Sequence, residues 1–265
     1  MVRPGRRRRA RPDRALIALG AVALALALAP RAARARDAFE IQVYDGTANP
    51  AGTLGLELHT NGVVSGQTTA PPPELPPNHQ VHLTLEPSFG VRPWWEIGGY
   101  LQTAVRADGT YDYAGLKLRS KLVTTPAWSA RARLGVNVEV SWLPARYEAE
   151  RWGLEVRPIA AWDVWRLRFA VNPIVDVPLT GGAATLEPAA LALYELPGVA
   201  SAGIEYYASL GPLTGFAALR DQQHYLYEVV NVLVVRKLEL NAGVGQGLTA
   251  SSNALVAKAI VGYSF

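Results

Sequence analysis

Four histidines and a set of alternately spaced charges are the side chains of this 265-residue sequence that could do chemistry. A hydrolytic serine needs a base within hydrogen-bond reach. His59 is followed by Thr60 and Asn61, His79 by Gln80 and Val81, His82 by Leu83 and Thr84, and His224 by Tyr225 and Leu226. None makes His-x-Ser. His82-x-Thr84 comes nearest, but both side chains fall on the polar face of their segment, so no enzyme is expected. His82 and Glu86 share a strand face yet stand about 13 Å apart along it. That is too far for one ion, and no metal is expected. With no cysteine there is no thiolate ligand, no cysteine nucleophile and no disulfide. Gly243-x-Gly245-x-Gly247 lies in a strand with no helix after it, which is unlike a phosphate loop. Small residues there ease curvature or leave room. No cofactor is expected.

The remaining chemistry is electrostatic, and it depends on which way the charges face. Twelve segments read as strands, at 53–66, 79–91, 94–105, 112–124, 130–143, 150–161, 163–177, 189–196, 200–210, 223–235, 238–248 and 254–265. The fifth alternates most clearly. Ala132, Leu134, Val136, Val138 and Val140 lie on one face, and Arg131, Arg133, Asn137 and Glu139 on the other. A period of two means a half-buried strand. The eighth and tenth alternate poorly. The last segment alternates through Leu255, Ala257, Ala259, Val261, Tyr263 and Phe265 to the end of the sequence.

The front of the chain reads as an address. Arg3, Arg6 to Arg9, Arg11 and Arg14 precede an apolar run from Ala15 to Ala29, and Ala33-Arg34-Ala35 matches an Ala-x-Ala cleavage site. Residues 1–35 are therefore expected to be a secretory signal peptide. Its nine arginines and one aspartate, taken from 26 basic and 22 acidic residues, leave 17 and 21. The mature chain is acidic, and a nucleic-acid partner is not expected.

An exported chain of alternating strands with no long apolar run is expected to form an all-β transmembrane barrel, antiparallel and up-and-down, of about 12 strands over residues 53–265. Short links at 92–93, 125–129, 162, 197–199 and 236–237 alternate with longer ones, as periplasmic turns and outer loops do. The seven tryptophans, Trp94, Trp95, Trp128, Trp142, Trp152, Trp162 and Trp165, fall near strand ends, where indole favours the headgroup zone. Residues 36–52 read as a periplasmic lead segment that pairs at the seam or tucks into the lumen.

Charge on a lipid face costs about 2–4 kcal/mol at mid-depth, so the polar faces should line the lumen. Lys117, Arg119, Arg131, Arg133, Arg157, Arg166 and Arg168 make an expected basic wall; Glu57, Glu86, Glu96 and Glu205 make an acidic wall opposite. Such walls would either select ions and dipolar solutes in a narrow passive pathway or pair into a closed, non-conducting core serving a structural or surface-interaction role.

Asp37 to Gly46, Leu54 to His59, Leu83 to Gly90 and Gly203 to Ser209 resemble a group of uncharacterised proteobacterial outer-membrane β-barrels, similar in kind to the transporters attributed to the phenol meta-cleavage pathway. The resemblance spans most of the mature chain. It implies the outer membrane of a Gram-negative bacterium, with lipid and lipopolysaccharide around the barrel and an unidentified small solute. Lys258, Tyr263 and Phe265 resemble the signal read by the outer-membrane assembly machinery, with Ile260 where glycine is usual.

Overall fold

The computed structural model describes residues 37–198, 200–235 and 237–265. The signal-peptide reading of residues 1–35 lies outside the described residues. Twelve strands follow in chain order: β1 (Leu54–Ser65), β2 (Val81–Arg92), β3 (Trp95–Val105), β4 (Tyr111–Val123), β5 (Ala132–Trp142), β6 (Trp152–Val164), β7 (Leu167–Pro178), β8 (Thr185–Glu195), β9 (Ala200–Ser209), β10 (Gln223–Val235), β11 (Leu238–Gly247) and β12 (Leu255–Ser264). Each pairs antiparallel with its sequence neighbours. β1 also pairs with β12, from Gly55 opposite Ser264 to Gly62 opposite Ala257. The sheet therefore closes with no free edge, so backbone groups pair between strands and not with water.

The alternation sorts the side chains. Leu56, Leu58, Leu85, Ile97, Leu101, Val140, Ile204 and Val261 point outward and are exposed, and Leu118 is 72% exposed. Leaving a Leu or Ile in water forfeits about 1.5–3 kcal/mol of burial. A continuous band of them requires an apolar surrounding. Among the described strand residues Glu228 is the exception, exposed on the outer face of β10 near Val230, Leu226 and Ile204. Inward placement of charge is thus a strong rule here, not an absolute one.

Links at 93–94, 124–131, 165–166, 196–199 and 236–237 gather at one end, and those at 66–80, 106–110, 143–151, 179–184, 210–222 and 248–254 at the other. The short-against-long pattern holds except that 124–131 outruns 106–110, 179–184 and 248–254. Two strand ends differ from expectation. β6 continues through Trp162, which faces Phe169 across the hairpin and stacks on it at 5.7 Å. The turn falls instead on Trp165-Arg166, where Trp165 has φ 56°, the positive φ that two-residue hairpins require. β8 starts at Thr185, ahead of Pro188, which lies opposite Pro173 on β7.

Aromatic side chains collect at both rims. Tyr113 stacks on Trp142 at the long-loop end, and Trp94, Trp128, Trp165, Tyr263 and Phe265 are exposed at the short-turn end.

Candidate functional site

Residues 37–52 have no regular secondary structure, yet Phe39, Glu40, Ile41, Val43 and Tyr44 are buried. They lie inside the barrel. Phe39 meets the ring of His82 near the long-loop end of β2, at 4.6 Å between centroids. Gly52 N–H donates to Gly90 O at the short-turn end. Of the two places considered for this segment, seam or lumen, it occupies the lumen.

A backbone buried away from a ladder must find other partners, and wall side chains supply them. Asn61 Nδ2 donates to Ala38 O at 3.0 Å, Thr84 Oγ1 to Phe39 O at 3.0 Å, and Lys258 Nζ to Ile41 O at 3.0 Å. Asn172 grips Tyr44 from both sides, accepting from its N–H at 2.7 Å and donating to its carbonyl at 3.0 Å. Arg133 Nε donates to Asp45 O at 2.8 Å.

The segment's own alternation matches two unlike halves of the lumen. Ile41 and Val43 pack into an apolar cluster with Ile174, Leu191, Leu193, Tyr207, Tyr225, Tyr227, Val229 and Val256, on β7 to β10 and β12. Glu40 and Tyr44 face the charged half. Arg157 Nη1 sits 3.0 Å from Glu40 Oε1, and its Nε donates to Glu155 Oε1 at 2.7 Å. The Tyr44 hydroxyl meets that of Tyr100 at 2.7 Å. Its ring is covered by Arg157 at 4.4 Å and Lys121 at 5.0 Å, a cation–π arrangement that gains from being dry.

The wall charges pair sideways. Arg119 forms ion pairs with Glu86 on β2 and Glu96 on β3, each at 2.7 Å, and Lys121 reaches Glu96 at 2.9 Å. Lys117 joins Asp37 of the segment and Glu139 at 3.3 Å. Strands β1 to β3 adjoin β4 around the barrel, so the acidic and basic sets are neighbours, not opposed walls. Glu205 stands apart from them and pairs with Lys258 on β12. Arg133 and Arg168 hold Asp163, at 2.7 and 3.2 Å, and Arg168 also holds Asp45 at 3.1 Å, near the short-turn end.

Two expected members of the basic wall are elsewhere. Arg131 is exposed just before β5, and Arg166 is exposed in the β6–β7 turn, over the Trp165 ring at 5.8 Å. Both share the inward parity of their strands, but the ladders have ended before the lumen begins. Tyr263 and Phe265 point outward in edge contact at 5.0 Å, while Lys258 points in.

Carboxylates outnumber cations in the charged half: Asp37, Glu40, Glu57, Glu86, Glu96, Glu139 and Glu155 face Lys117, Arg119, Lys121 and Arg157. His59 is buried between Glu86, 3.0 Å away, and Glu57, 3.3 Å away. His82 meets Gln80 at 3.1 Å, and His224 sits outside the lumen against Tyr206. Between the segment and the apolar half a cavity of ≈ 70 Å³ remains, lined by Ile41, Val63, His82, Tyr225, Tyr227 and Val256 among others.

No family model and no curated protein matches the chain, so no sequence match stands behind the narrower resemblance to phenol-pathway transporters. Solved structures do match. The COG4313 outer membrane channel from Pseudomonas putida F1 has a TM-score of 0.56 at 12% identity, covering 85% of this chain and 100% of that one. The KdgM porin, solved in complex with disordered oligogalacturonate, gives 0.53 at 9%, covering 80% and 99%. The NanC porin gives 0.52 at 10%, covering 80% and 98%. At these identities the likeness is one of fold: the chain is a closed antiparallel barrel of twelve strands, the architecture of outer-membrane channels and porins.

Proposed function

We propose that the chain resides in the outer membrane of a Gram-negative bacterium and gives small solutes a narrow passive pathway, restricted by residues 37–52. The observation that carries this reading is how the segment is held. Side chains grip it, and no strand ladder does, so it can shift without opening the wall. The cavity beside Ile41 lies where a path along the apolar half would begin. Lipid and lipopolysaccharide would surround the band at Leu118 and Leu101. The assembly machinery would read Lys258, Tyr263 and Phe265 before β12 closes on β1. The surviving basic-wall residues, Lys117, Arg119, Arg133, Arg157 and Arg168, would act by holding the segment rather than by setting a field across an open pore.

A second reading, a non-conducting barrel acting through its loops, is favoured by the pairing of these buried charges. Planar-bilayer recording separates the two. Small, reproducible current steps and liposome swelling support the pathway, and their complete absence supports the closed barrel.

A further inference from the structure

Glu57 on β1 and Glu86 on β2 stand directly opposite each other in register. Like charges at such a position repel and destabilise the pair of strands. The next inward residue of β1 is His59, fully buried, and its Nε2 lies 3.3 Å from Glu57 Oε2 and 3.0 Å from Glu86 Oε2. All three atoms fall within 4.8 Å of one another. Arg119 takes Oε1 of Glu86 with both Nε, at 2.8 Å, and Nη2, at 2.7 Å, which leaves Oε2 for His59. Glu57 Oε2 is buried and has no hydrogen-bond donor among the described residues. Counting Glu96 and Lys121, the group holds one carboxylate more than its arginine and lysine neutralise.

We infer that Glu57, His59 and Glu86 form a binding site for a divalent transition-metal ion, Zn²⁺ in type. Zinc bound at about 2.0–2.2 Å to nitrogen and oxygen ligands in a tetrahedral array needs ligand atoms roughly 3.3–3.5 Å apart. His59 Nε2 stands 3.0 and 3.3 Å from the two oxygens, and the three atoms lie within 4.8 Å of one another, so an ion can be closed upon by side-chain adjustment alone. An imidazole with two carboxylates selects a zinc-like ion over Mg²⁺ or Ca²⁺, which prefer all-oxygen shells. The Glu57 side chain is 36% exposed while its Oε2 is buried, so the carboxylate must turn to admit an ion. Among the described residues His59 Nδ1 has no hydrogen-bond partner. Lacking that outer support costs about 10–100-fold in affinity, so the site should bind at micromolar rather than nanomolar level. The same-strand distance from His82 to Glu86 conceals this site, because the residues that converge belong to neighbouring strands.

The test is a calorimetric titration of ZnCl₂ into the detergent-folded barrel, with folding of every variant checked by heat-modifiable gel mobility. The expected result is one saturable equivalent, weakened by about 100-fold or more in His59→Gln and about 10-fold or more in Glu57→Gln, and unchanged in His224→Gln. Co²⁺ should give a visible absorption band that His59→Gln abolishes. No saturable binding to the native chain, or equal binding by native, His59→Gln and Glu57→Gln proteins, would overturn the site and leave a plain hydrogen-bond cluster.

Discussion

Arg157 Nη1 and Glu40 Oε1 lie 3.0 Å apart with both side chains sealed from solvent, and this contact ties the lumen segment to β6. Arg157 also donates to Gln42 O at 3.4 Å and to Glu155. Removing one member of a buried ion pair strands the other at a cost of about 3–5 kcal/mol. Glu155 compensates in part. Because the chain has no cysteine, Val43→Cys gives a single thiol to report on the segment. A water-soluble maleimide should modify it slowly in the otherwise native barrel. Adding Glu40→Ala should speed the reaction by at least about 10-fold, the effect of some 1.4 kcal/mol.

Tyr44 separates the worth of a hydroxyl from that of a ring. Tyr44→Phe loses the bond to Tyr100 and should cost about 1 kcal/mol. Tyr44→Ala also removes the surface that Arg157 and Lys121 cover, and should cost about 3–5 kcal/mol. Urea unfolding of the detergent-folded barrel reads both. Equal effects would mean that the ring contributes nothing.

Lys258 joins β12, Glu205 on β9 and the carbonyl of Ile41. Lys258→Met leaves Glu205 buried with the Tyr207 hydroxyl but without a counter-charge, and should destabilise by about 3–5 kcal/mol. Adding Glu205→Gln should restore more than half of that loss. A double variant no better than Lys258→Met would show that the lysine acts through Ile41 alone.

The outer band and the strand ends make different demands. Leu118→Arg places a charge on the outer band and should cost about 2–4 kcal/mol in lipid-folded protein. Arg131→Ala and Arg166→Ala, both exposed beyond the ladders, should change stability by no more than about 0.5 kcal/mol. A large loss at Arg131 would return it to the lumen.

Strand number, order and closure were legible because lipid outside and polar groups inside impose a period of two that most segments obey. β8 and β10 alternated poorly for a physical reason. Leu191, Leu193, Tyr225, Tyr227 and Val229 face inward against Ile41 and Val43, so apolar side chains fall on both faces of those strands. Nothing local marks an apolar residue as lumen-facing; only the alternation of Ile41 and Val43 with Glu40 and Tyr44 hinted at a segment made for two unlike halves. Lys117, Arg119 and Arg157 are buried where alternation points them inward, whereas Arg131 and Arg166 are exposed because parity outlasts the strand. Charge pairing was not legible, since Glu86 meets Arg119 two strands away in the sheet. Strand signs alone suggested opposed walls where the sheet has adjacent ones.

Single-channel conductance of the intact barrel, compared with one lacking residues 37–49, tests the central claim most directly. The account expects small current steps from the intact chain and steps several-fold larger once the segment is gone, with heat-modifiable mobility retained. Identical currents from both proteins, or none from either, would contradict it.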